Sequence, residues 1–307
     1  SKNSNQVNLY DKSRKLTVGE LGINFISFKN CDFEKNSVYT KLYQVSMMFA
    51  VLYEYYQVTI DTFNFTNNQI ISQSLNELQN AIAIMIVGIR VSGFFERIII
   101  LNQLEYKGFA PHDVVYLNIN EIYLVNCTVL NIPSKDPDER YDSSFKNLKL
   151  LSDNIIIDDC FFIGLSGEKG GALYMSSSGF NKKPAEIRIN NTQFINNKAE
   201  NGGAIHINEP VYLKRVQIVN CYFNGNKAWQ GGVLYLKYVD LAEMKIEKDK
   251  FWSLDILFSQ SSIHDCEEIL SMSSFYLEVK TSLNINISEC KFINKFAGFI
   301  FYGDELS

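Results

Sequence analysis

Apolar and polar residues alternate over short stretches of this chain, and one arrangement of them recurs. Ile26-Ser27-Phe28-Lys29-Asn30-Cys31-Asp32-Phe33 reads apolar, any, apolar, two mostly polar residues, Cys, any, Phe. Ile122 to Val129, Ile155 to Phe162, Val216 to Phe223 and Ile285 to Phe292 read the same way. Four more segments fit with Phe63, Leu104 or Thr192 in the Cys slot, or with Cys266 kept and Glu268 in place of the Phe. The slots fall at 31, 63, 104, 127, 160, 192, 221, 266 and 290, at spacings from 23 to 45 residues. Helical arrays keep their repeat length, and the Leu-x-x-Leu-x-Leu spacing of leucine-rich repeats is missing. A constant strand signature at variable intervals predicts an all-β solenoid of about nine coils whose loops differ from coil to coil.

Alternation within the motif supplies the geometry, because residues two apart in a strand share a face. In Ala185 to Phe194, Ile187 and Ile189 form one set and Thr192 and Phe194 another, one residue out of phase. The chain must therefore turn at Asn190-Asn191. The same slip falls at Lys29-Asn30, Asn102-Gln103, Asp158-Asp159 and Ser288-Glu289. Asn and Asp tolerate the left-handed backbone that so tight a corner needs.

A second strand follows in three consecutive coils. Gly170-Gly171-Ala172-Leu173-Tyr174-Met175 matches Gly202-Gly203-Ala204-Ile205-His206-Ile207 and Gly231-Gly232-Val233-Leu234-Tyr235-Leu236. Phe194-Ile195-Asn196-Asn197-Lys198-Ala199 with Gly202-Gly203-Ala204-Ile205 resembles the Phe-x-x-Asn and Gly-Gly-Ala-Ile repeats of polymorphic outer membrane proteins. Phe223 to Leu234 is a second good copy; Phe162 to Leu173 is weaker, lacking the Asn. Outside about 155–236 only the Cys-x-Phe strand persists. Similar repeats occur in large surface proteins of ciliates, whose Asn-, Ile-, Lys- and Tyr-rich composition is like this one. The resemblance implies a pectin-lyase-like, right-handed parallel β-helix, displayed outside the cell for adhesion or assembly.

Composition narrows the function classes. An apolar share of 46% with 21% charged residues belongs to a chain that folds. A net charge of −5 and scattered basic residues argue against a nucleic-acid protein. The longest apolar run, Ala81 to Ile89, is too short to span a bilayer, so membrane association is expected only through segments outside this chain. Residues 1–307 read as one β-helix segment of a longer protein, most regular over 120–240, because an uncapped stack would leave its strand edges open.

Cys31, Cys127, Cys160, Cys221, Cys266 and Cys290 share one slot, about thirty residues apart, which excludes short-range zinc motifs. They read as an interior column of small buried residues. Disulfides Cys127–Cys160 or Cys266–Cys290 lie within reach but are disfavoured, because in-register side chains point the same way. Glycosylation sequons stand at Asn64, Asn126, Asn190 and Asn286, all at outward or corner positions. Chance alone gives that many; their placement favours an extracellular or cell-surface setting.

No metal or cofactor is expected. Asp136, Asp138, Glu139 and Asp142 read as a solvated loop rather than a calcium site, and Asp158-Asp159 as a corner rather than a catalytic pair. The Asn-Thr-Asp, Gly-His-Gly and Arg-x-Pro-x-x-Arg motifs of pectin-degrading enzymes are not in the sequence. Tyr174, His206 and Tyr235, on three consecutive coils, are expected to point outward as a column of exposed aromatic faces for protein subunits or surface glycans. The reading is a non-catalytic segment for adhesion, recognition or structural assembly. A carbohydrate-active enzyme of the pectin-lyase-like type is the alternative, and a pure spacer or filament subunit a third.

Overall fold

A computed structural model describes residues 24–34, 37–40, 44–66, 69–72, 80–101, 115–131, 147–176, 185–208, 213–238, 254–259, 261–264, 267–268, 274–279, 283–293 and 299–302. Every regular element among them is a β-strand, and every strand pairing is parallel. No helix of the described residues is long and apolar enough to cross a membrane. Twenty-two strands join one continuous ladder system, and a separate four-stranded sheet flanks it. The fold is a parallel β-solenoid.

About five turns are complete, running from Val115–Asn118 to Leu234–Tyr238 and the strands that follow it. This corrects the expectation of nine equivalent coils. Gln44–Thr66 and Asn80–Leu101, earlier in the chain, are long unbroken strands. Asn80–Leu101 alone pairs with Val115–Asn118, Glu121–Val125 and Thr128–Leu130, so one strand faces what later turns divide into three. Apolar, β-branched sequence without Pro keeps this stretch extended, and single left-handed residues, Arg90 and Arg97, take its bends.

The motif corners form a left-handed column. Asn30, Thr62, Arg97, Asn126, Asp159, Asn191, Asn220 and Glu289 all have φ between 49° and 54°. The corner expected at Asn102-Gln103 lies instead at Arg97, whose side chain is held by Asp61 and Thr62 of the preceding strand. An ion pair with a backbone-matched neighbour thus replaces the usual Asn.

Behind each corner sits the Cys slot. Its register runs Cys31, Phe63, Ile98, Cys127, Cys160, Thr192, Cys221, Ser261, Cys290. Ile98 therefore replaces the expected Leu104, and Ser261 the expected Cys266. Cys266 itself lies outside the described residues. Glu267–Glu268, which follows it, pairs with Lys227–Ala228 of the flanking sheet, several residues beyond the slot. The motif was displaced there because a Ser in the slot carries no apolar signal.

The slot also has a polar task. Cys127, Cys160, Cys221 and Cys290 each donate to the carbonyl two residues back, Val125, Asp158, Val219 and Ser288, at 3.2–3.3 Å. Thr192 does the same to Asn190 at 2.6 Å. In return the slot atom accepts from the slot N–H of the preceding turn: Cys127 N–H to Cys160 Sγ, Cys160 N–H to Thr192 Oγ1, Cys221 N–H to Ser261 Oγ. Cys, Thr and Ser interchange because each is a small donor and acceptor. Cys160→Ser is expected to change unfolding free energy by less than about 1 kcal/mol. Cys160→Ala, which strands the Cys127 N–H, should cost about 1–3 kcal/mol. Urea denaturation of the two variants separates these outcomes.

Inside, apolar residues stack turn upon turn. Val129, Phe162, Phe194, Phe223 and Ile263 are in register and at most 2% exposed. The Phe162–Phe194 and Phe194–Phe223 ring centroids are 5.3 and 4.9 Å apart. Full burial of each such ring contributes about 1.5–3 kcal/mol.

Candidate functional site

The Gly-Gly strands set out the surface predicted for recognition. Leu173, Ile205 and Leu234 are in register and buried, so the next residues point to the opposite face. That outward column runs Met85, Tyr116, Lys149, Tyr174, His206, Tyr235, Tyr276, Ile300. Tyr174, His206 and Tyr235 are thus brought together. Tyr116, Lys149 and Tyr276 extend the column, and sequence reasoning missed them because their strands lack a Gly pair.

The rings do not offer their faces to solvent. Tyr174–His206, His206–Tyr235 and Tyr235–Tyr276 are stacked, with centroids 5.4, 4.8 and 4.8 Å apart and planes within 21° of parallel. The Lys149 ammonium lies 5.5 Å from the centroids of both Tyr116 and Tyr174. His206 is 2% exposed, Tyr235 7%, and Tyr174 half-buried. This corrects the expectation of exposed aromatic faces. Parallel in-register strands set rings one strand spacing apart, about 4.8 Å, close to stacking distance, so each ring covers its neighbour. His206 and Tyr235 thus have a ring on both faces, whereas Tyr174 and Tyr276 stack on one of these rings each and stay half-buried.

Burial leaves its mark on the titration of the column. It pushes His206 down to about 4, against opposing effects of the Asn201 carbonyl and the Asn208 side chain. It also pushes Tyr235 up to about 12, with Glu278 and Tyr276 adding to the effect. In the unfolded chain His206 regains the ordinary value near 6.5. The unfolded state therefore takes up the proton first. Stability is complete above about pH 6.5 and falls as pH drops toward 4, by about 3 kcal/mol in all. His206→Phe keeps a ring in the stack and removes this loss. Urea unfolding at pH 7.5, 5.5 and 4.5 should show the gap between wild type and variant changing in the variant's favour as pH falls.

The described cysteines stand in one structural column. Cys127, Cys160 and Cys221 are buried free thiols, while Cys31 and Cys290 are half-buried and also free. Its hydrogen-bonded neighbour Cys127, and then burial, push the Cys160 thiol up, while the same contact pulls Cys127 down against its burial; burial pushes Cys221 up to about 12. A protonated thiol is a poor nucleophile and metal ligand. Among the described residues no group of three or more His, Cys, Asp or Glu side chains could hold a metal ion. The stretch 136–142 lies outside the described residues.

The acidic pair is part of the corner. Asp159 is the left-handed residue, φ 54°, and Asp158 Oδ1 accepts from Asn191 Nδ2 at 2.9 Å. Of the sequon asparagines, Asn126 and Asn286 are exposed, Asn126 on a corner and Asn286 in a strand. Asn64 and Asn190 are half-buried, and Asn64 Nδ2 donates to Asp32 Oδ1 at 2.7 Å.

One set of functional groups was not anticipated as such. Asn197 and Asn226, the Asn of Phe-x-x-Asn, are fully buried. Asn226 Oδ1 accepts from Asn197 N–H at 3.0 Å and Asn197 Nδ2 at 2.9 Å, and Asn226 Nδ2 donates to the Phe194 carbonyl at 2.8 Å. Asn197 repeats the arrangement one turn earlier, accepting from Leu165 N–H and donating to the Phe162 carbonyl, both at 3.0 Å. The ladder stops at Leu165, the copy whose Asn is missing. The motif marks an internal hydrogen-bond ladder at a turn.

Comparison with curated proteins gives no match, and neither does comparison with solved structures. A family profile does match: residues 191–208, the turn that carries Asn197, the Gly202-Gly203 pair and His206, are similar to the Chlamydia polymorphic membrane protein repeat.

Proposed function

We propose that this chain is a non-catalytic segment of an extracellular or cell-surface protein. It acts as a stiff rod that presents its faces to other protein subunits or surface glycans in adhesion, recognition or structural assembly. The observation that supports this most is the coincidence of the matched repeat with a turn of the 22-stranded parallel ladder of the described residues. Such a stack has fixed side-chain columns, and a partner meets a preformed surface without an ordering cost. We take the solenoid as right-handed, because parallel crossovers within a sheet adopt that hand in about 98% of cases. Asp158 and Asp159 support the non-catalytic reading, since corner geometry and a bond to Asn191 account for both.

Surface position is tested by labelling intact source cells with a membrane-impermeant amine reagent. The exposed Lys198 and Lys227 should be modified before lysis. Labelling that appears only after lysis would contradict the reading.

A further inference from the structure

The flanking sheet carries a surface that the aromatic column does not. Its strands Ser166–Lys169, Lys198–Asn201 and Lys227–Ala228 are parallel and in register, with Ser166 beside Lys198 and Lys198 beside Lys227. Ala199 and Ala228 between them are buried, so Lys198, Glu200 and Lys227 point outward, and all three are exposed. Trp229 follows Lys227 by two residues, and its N–H donates to the Glu200 carbonyl at 2.9 Å. The indole therefore stands next to Glu200 in the outer row, in line with the exposed Glu168 of the turn before.

Trp229 is 50% exposed. The rings of His206 and Tyr235 have both faces covered by their neighbours, and those of Tyr174 and Tyr276 have one covered in the same way. Trp229 sits where its two counterparts, Glu168 and Glu200, are charged and hydrated, each near the start of a Gly-Gly pair. A spacer role gives no reason for an indole at this position, and leaving it in water forgoes the gain of burying it.

We propose that this face, centred on Trp229, binds a neutral pyranose-based glycan. The apolar C–H face of a sugar ring fits against the indole. Glu168 and Glu200 accept from sugar hydroxyls along one row, and Lys198 and Lys227 donate along the other. Neighbouring turns stand about 4.8 Å apart, so donors and acceptors repeat regularly along each row. The flanking strands carry Lys169, Lys198 and Lys227 against Glu168, Glu200, Glu267 and Glu268, with Glu267 in register with Lys227, so the sheet has no positive excess; that fits an uncharged ligand and not a sulfated or nucleic-acid polyanion. The proposal rests on the surface-segment reading for its biological sense. Its chemistry can be tested without it, because cell labelling and glycan binding are separate experiments.

The test is native affinity electrophoresis of the full chain through gels containing mixed-linkage β-glucan, galactomannan or xylan, with heparin as the charged comparison. At least one neutral polysaccharide should retard the chain. Trp229→Ala should weaken that retardation at least tenfold with an unchanged melting temperature, since the ring is half exposed. Glu200→Gln should weaken it less. Failure of every neutral polysaccharide to retard the chain overturns the proposal. Retardation by heparin alone, or retardation that Trp229→Ala leaves intact, also overturns it, the latter pointing to a different face or to protein partners.

Discussion

Gly203→Ala is expected to cost about 4 kcal/mol or more. A Cβ at this position would lie 2.3 Å from the Gly232 carbonyl oxygen and 2.9 Å from the Lys227 backbone. These are main-chain atoms of the next turn, fixed by their own ladder bonds, and they cannot step aside as a side-chain tip could. Gly171 meets the Gly203 carbonyl in the same way, at 1.9 Å. The second glycine of each pair is thus a contact between turns, whereas the first, such as Gly202 with φ +73°, serves the bend. Gly225→Asn is the control. Gly225 also has positive φ, but Asn196 already occupies the equivalent position one turn earlier at φ 55°. Its cost should stay below about 1 kcal/mol, because Asn tolerates the left-handed region and the added Cβ meets only the amide tip of the exposed Asn196 side chain, which can swing aside. Urea unfolding of both variants measures the difference; a Gly203→Ala protein of wild-type stability would mean the turns are not this close.

Asn226→Ala should cost nearly as much, about 3–5 kcal/mol. The substitution strands the Asn197 N–H, the Asn197 side-chain amide and the Phe194 carbonyl, all in a fully buried site. Each lost partner leaves a desolvated polar group costing about 1–3 kcal/mol, partly offset by relaxation. Asn226→Leu should not rescue it. Leu165 stands at the end of the ladder, where Asn197 receives its N–H and no amide must be answered from the other side. Asn224→Ala, half-buried at the end of the strand that precedes Asn226, provides the comparison and should cost less than about 1 kcal/mol. Equal effects at 224 and 226 would show that the ladder does not form.

Much of this architecture is legible in the residues because the solenoid repeats its demands. Alternation on either side of Asn190-Asn191 locates a corner, and the structure places Asn191 there with positive φ. The corners at Asn30, Asp159 and Glu289 are equally readable. Arg97 is not, since Arg has no preference for that conformation and is held by Asp61. Ser261 was missed for a related reason. Alternation marks the slot only as a place for a small apolar residue, whereas the bonds to Cys221 N–H and its counterparts make it a place for a small donor and acceptor.

The candidate surface was only half readable. Register along the Gly-Gly strands brings Tyr174, His206 and Tyr235 together, and alternation turns them outward. What alternation does not convey is that in-register rings cover each other. The outward direction therefore does not make them accessible, and His206 ends up among the more buried polar residues of the described turns. Trp229 carried no pattern at all. Its importance comes from the buried Ala228 beside it and from the charged residues that hold its position in neighbouring turns.

The in-register stack itself is tested most directly by nuclear Overhauser contacts between phenylalanine rings in protein carrying labelled Phe on a deuterated background, with assignments by single Phe→Leu variants. Contacts are expected between Phe162 and Phe194, Phe194 and Phe223, and Phe223 and Phe258, whose centroids lie 5.3, 4.9 and 5.9 Å apart. Phe162 and Phe223, two turns apart, should show none. Contacts confined to residues near in sequence, or a direct Phe162–Phe223 contact, would contradict the solenoid and every surface built on it.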